Sequence, residues 1–62
     1  MRVERIEVYR DRAGFWRWRK IAGNNERTAD SGEGYETYHG AFEAAERERK
    51  HSPEIPIHEA EG

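Results

Sequence analysis

Between Gly14 and Ile21 the chain reads Phe-Trp-Arg-Trp-Arg-Lys, and the alternation of Trp16 and Trp18 with Arg17 and Arg19 constrains the fold more than any other stretch. Successive side chains of a strand point to opposite faces, so this segment puts both tryptophans on one side of a sheet and both arginines on the other. One face is packed and the other is charged.

The flanking segments extend that strand into a sheet. Residues 2–10 alternate with Ile6 and Val8 on one face, which predicts a first strand, and Asp11-Arg12-Ala13-Gly14 then reads as a hairpin turn into a second strand over 15–22. Gly23-Asn24-Asn25 marks another turn, because Gly and Asn tolerate left-handed backbone, and residues 26–31 read as a short third strand. Ser31-Gly32-Glu33-Gly34-Tyr35 breaks the sheet, and Thr37 is the expected N-cap of a helix over 38–50. Tyr38, Ala41, Phe42 and Ala45 recur at helical spacing and form the stripe that must face the sheet. The fold class expected is α+β, a three-stranded antiparallel meander followed by one helix (β-β-β-α). Its expected core is Ile6, Val8, Trp16, Trp18, Ala41, Phe42 and Ala45.

Sixty-two residues allow one domain with a marginal core. There is no leucine and no cysteine, and seven of the apolar residues are alanine, so neither a large core nor disulfides hold the fold. Self-association is the remaining means of burying surface, and a homodimer is expected. Charge is uneven: residues 1–20 hold seven Lys/Arg against three Asp/Glu, while residues 21–62 hold four against ten. Nine of the eleven basic residues are arginine, as a codon-biased or salt-adapted source would also give. No apolar run approaches the roughly 20 residues of a membrane span, and the N-terminus lacks the apolar core of a signal peptide, so a cytoplasmic location is expected. After His51 the sequence Ser-Pro-Glu-Ile-Pro-Ile-His-Glu-Ala-Glu-Gly has no helical pattern. The domain is therefore placed at residues 1–51, and residues 52–62 are read as an acidic tail. Its apolar handles, Ile55 and Ile57, make it a candidate dimer clasp on a neighbouring subunit.

Catalytic and metal chemistry find little support. His39, His51 and His58 stand at spacings that place no two on neighbouring helical turns, and no cysteine joins them. Ser31 and Ser52 lie in turn-like contexts with no histidine at meaningful spacing. Glu43 and Glu46 share a helix face, with nothing apolar around them to raise a pKa. The Gly-Glu-Gly turn lacks a phosphate-binding pattern, and Glu33 and Glu36 would repel phosphate. No enzyme, cofactor or metal is expected.

The run Trp-Arg-Trp-Arg, the Asn-rich turn, Ala-Asp-Ser-Gly-Glu-Gly-Tyr and the amphipathic helix together resemble the YegP-like family of small uncharacterised proteins over residues 6–50. The resemblance implies a β-β-β-α unit that occurs in tandem or pairs with itself, with no assigned activity, and hence a homodimer for a single unit. Lys20, Arg27 and Glu48 stand where that family has apolar residues, and Asn25 replaces its turn glycine. The element order also resembles the plant GCC-box-binding domain, which reads DNA with a three-stranded sheet. Two readings of the charged face follow. In the first, Tyr9, Phe15, Arg17, Arg19 and Ile21, with Ile55 and Ile57, form a dimer or protein-partner surface of a non-enzymatic interaction or regulatory module. In the second, Arg5, Arg17 and Arg19 bind nucleic acid, which a net charge of −2 disfavours.

Overall fold

The computed structural model describes residues 4–50 and 54–60. In chain order it contains β1 (Arg5–Arg10), β2 (Trp16–Ile21), β3 (Arg27–Asp30), α1 (Tyr38–Glu48) and β4 (Ile57–Glu59). β1 pairs antiparallel with β2, from Arg5 opposite Ile21 to Arg10 opposite Trp16, and β2 pairs antiparallel with β3. The helix lies on one face of the sheet. The expected start of the first strand at residue 2 falls outside the described residues.

Each turn is closed by the residues that predicted it. Asp11 takes the amide of Phe15 on Oδ1 (2.9 Å), and its carbonyl takes the amide of Gly14, whose φ is 91°. Asn25 adopts φ 73°, the left-handed region that asparagine tolerates better than most residues, and its amide donates to the Ala22 carbonyl. After β3, Asp30 Oδ1 accepts from the Gly32 amide, and Tyr35 then pairs back onto Trp16 through two hydrogen bonds of 2.7 Å. That bridge sets the chain's course into α1, where Thr37 Oγ1 caps the helix by accepting from the Gly40 amide at 3.0 Å.

The sheet has four strands rather than three. β4 adds to the outer edge of β1 in parallel, Ile57 beside Ile6 and Glu59 beside Val8, giving the order β3-β2-β1-β4. The tail is thus part of the fold and not a clasp reaching to a neighbour. Ile55 is 5% exposed within its own chain's core, and Ile57 packs partly buried against that core. The Pro56 carbonyl accepts from the Ile6 amide (2.9 Å), and Arg49 Nη1 at the end of α1 donates to the Ile55 carbonyl (2.6 Å). The cause is the shortage of apolar mass: a core lined by Ala41, Ala44 and Ala45 has room that Ile55 fills. The expected boundary at residues 51 and 52 lies outside the described residues.

The core comprises Ile6, Val8, Trp18, Ala41, Ala44, Ala45 and Ile55, with Trp16, Tyr38 and Phe42 partly buried around it. Trp16 stands edge-on to Tyr38 with ring centroids 5.3 Å apart, and Tyr38 in turn meets Phe42 at 5.8 Å. No helix among the described residues is long and apolar enough to cross a membrane.

Candidate functional site

α1 covers the Ile6 and Trp18 side, and among the described residues the opposite face of the sheet has no second layer. The strand registers place its residues in rows. Arg17 lies across from Tyr9, Arg19 from Glu7, and Ile21 from Arg5, and the middle row extends to Asp30 of β3 on one side and His58 of β4 on the other.

Carboxylates organise this face. Glu7 Oε1 accepts from Arg19 Nε and Oε2 from Arg5 Nε, both at 2.8 Å. The bond from Arg5 is the main influence that lowers the Glu7 pKa below the ordinary carboxylate value; desolvation opposes it, and Arg19 adds to it. Asp11, having built the hairpin, receives Arg17 Nε on Oδ2 at 2.6 Å. Its carboxyl is lowered chiefly by that bond and then by the Phe15 amide. Arg19 also lies over the Tyr9 ring, its guanidinium carbon 4.4 Å from the centroid. Three arginines therefore meet two carboxylates and a tyrosine in fixed geometry.

The residues expected on a partner surface separate into two groups. Tyr9, Phe15, Arg17, Arg19 and Ile21 belong to the open face, with Phe15 the large apolar side chain most exposed, at 42%, and Ile21 the least, at 7%. Ile55 and Ile57 are occupied in the core and in β4. The sequence marks Asp11 and Asn25 as turn residues and places Glu7 near this face, but it does not identify them as the partners that hold the arginines. The signal that could have found them is the antiparallel register: keeping Ile6 and Val8 on the same face as Trp16 and Trp18 requires an odd-length loop, and closing it over residues 12–14, with Asp11 bonded to Phe15, sets Glu7 opposite Arg19.

Around Ile21 the face dips into a shallow depression of about 340 Å³ lined by Arg5, Glu7, Arg19, Ile21, Asn25 and Arg27. Arg5 Nη2 donates to Asn25 Oδ1 there at 3.1 Å, and Arg27 reaches Asp30 only at 3.8 Å. Elsewhere, Glu43, Glu46, Arg47 and Lys50 form a shallow solvated hollow on the back of α1. Among the described residues no group of three or more His, Cys, Asp or Glu is arranged to hold a metal ion.

A comparison with solved structures finds similarity to the NMR solution structure of a protein from Haloferax volcanii, at 34% identity and a TM-score of 0.73, covering 89% of this chain and 92% of that one. No curated protein matches. The family model described as "Domain of unknown function (DUF1508)" matches residues 11–59, a span that begins just after β1 and includes β2, β3, α1 and β4. The chain belongs to this YegP-like family of domains of unknown function.

Proposed function

We propose that this protein is a non-enzymatic, homodimeric interaction module of the cytoplasm, docking a second copy through the open sheet face around Phe15 and Tyr9. The observation that carries the reading is the face itself. Its arginines are pre-ordered by Glu7, Asp11 and Tyr9, so docking costs little side-chain entropy, and aromatic residues and arginine are the types that anchor protein interfaces. A core built on three alanines gives a further reason to bury surface against a partner.

Light scattering over a dilution series tests it. The expected mass is twice the 7.3 kDa of the chain, and Phe15→Ala, which removes an exposed ring, should shift the equilibrium toward monomer while the fold persists. A folded monomer at all concentrations would refute the dimer.

The second reading, nucleic-acid binding, draws on the presence of Arg5, Arg17 and Arg19 on one exposed sheet face. Each of these guanidinium groups already donates to a carboxylate, and phosphate would have to compete with that bond. Titration of duplex and single-stranded oligonucleotides at two salt concentrations should show no strong, salt-steep binding.

A further inference from the structure

We propose that the depression around Ile21 is a docking point for a carboxylate of an acidic peptide segment on a partner protein, held by Arg5, Arg19 and Arg27. The inference rests on reading the open face as a protein-docking surface, and it names the chemistry of a second partner at the other end of that face.

Charge complementarity carries it. Three guanidinium groups line the depression against one carboxylate, Glu7. Glu7 engages the Nε atoms of Arg5 and Arg19, which fixes both guanidinium planes without occupying their outer nitrogens. Arg5 spends one outer nitrogen on Asn25, whereas no described residue accepts from either Nη of Arg19. Arg27 is more than half exposed, and its Asp30 partner at 3.8 Å is beyond hydrogen-bond range. A carboxylate entering here meets Nη donors on a rigid fork, the geometry arginine matches best. The apolar floor, Ile21, suits the methylene stem of a Glu or Asp side chain.

Dimensions favour a single carboxylate over a polyphosphate strand. A nucleic-acid backbone crossing the face would run past Asp11 and Asp30 as well as Glu7, whereas Glu7 is the one carboxylate that lines the depression. Ile21, the floor of the depression, lies six residues along the chain from Phe15, about 20 Å at strand rise, so a dimer contact at the Phe15 end leaves Ile21, Arg5 and Arg27 accessible, while Arg19, stacked on Tyr9, borders both contacts.

The test uses the full chain at pH 7, titrated with amidated hexaglutamate and followed by NMR at the Ile21 methyls and the Nε–H groups of Arg5, Arg19 and Arg27. Salt-sensitive shifts confined to these resonances are expected. Arg27→Glu should weaken binding by about tenfold or more, while Arg47→Glu on the back of α1 leaves it unchanged. An unchanged thermal midpoint for Arg27→Glu checks that the variant folds; Arg27→Gln, which removes only the charge, serves if it does not. Absent shifts at low salt, unaltered affinity in the Arg27 variants, or stronger perturbation of the same resonances by oligodeoxythymidine would each overturn the proposal. Light scattering on the same samples separates the two ideas: a dimeric mass with no peptide binding removes the docking point and leaves the interaction reading standing.

Discussion

Gly32 and Gly34 stand two residues apart and are glycine for different reasons. Gly32 has φ 73° with open space around it, so only left-handed strain resists a side chain, and Gly32→Asn should be nearly neutral. Gly34 has no such backbone demand, but a Cβ there would lie 2.5 Å from Phe15 Cβ and 2.9 Å from its Cγ. Gly34→Ala should cost about 1–3 kcal/mol, because the Phe15 side chain or the Trp16–Tyr35 bridge must move. At this chain length that lowers the thermal midpoint by about 4–8 °C per kcal/mol, which calorimetry of the two variants would resolve. Acid sensitivity also belongs to single residues. Glu7 and Asp11 have folded pKa values below their unfolded ones, so the stability they contribute is complete above the unfolded carboxylate pKa and is lost as pH falls through the folded values. Thermal midpoints measured from pH 6 down to about pH 3 should drop, and Glu7→Gln should flatten part of that drop while lowering the midpoint at neutral pH.

Among the elements, those with local signals were legible in the sequence. Trp-Arg-Trp-Arg specified β2 and its two faces, and Thr37 marked the start of α1. Ala44 escaped the expected stripe although it is 7% exposed, because an alanine at the margin of a helical face carries little periodic signal. β4 escaped for a deeper reason. Three residues, Ile-His-Glu, between prolines and acids have no strand pattern of their own, and they form a strand only because β1 offers an unpaired edge. The open face was legible in its arginines but not in the acids that lock them, since pairing depends on register. Ile55→Ala should cost about 2–5 kcal/mol, as for other fully buried branched side chains, and Ile57→Ala distinctly less, because Ile57 is only half-buried. Urea unfolding of the two variants would separate a core residue from an edge one. Equal effects would show that Ile55 is not where the core is closed.

At the scale of the whole molecule, stability rests on very few large side chains. A domain this small has about 3–5 kcal/mol to lose, and Trp18→Ala alone should remove about that much. Loss of cooperative thermal unfolding and of dispersed NMR signals would register the collapse. Amide exchange should be slowest in β1 and β2 at the centre of the sheet. It should be fastest in β3, an edge strand whose residues are almost all exposed.

The parallel pairing of β4 with β1 joins the first described strand to the last. During synthesis β1, β2, β3 and α1 all emerge before Ile55 does, so the nascent chain holds a sheet with an unpaired β1 edge and a core still short of its closing side chain. Pairing across nearly the full sequence raises contact order and slows this final step. Until it is taken, the β1 edge is open to strands of other chains, which makes the interval before β4 docks the period of greatest exposure to aggregation.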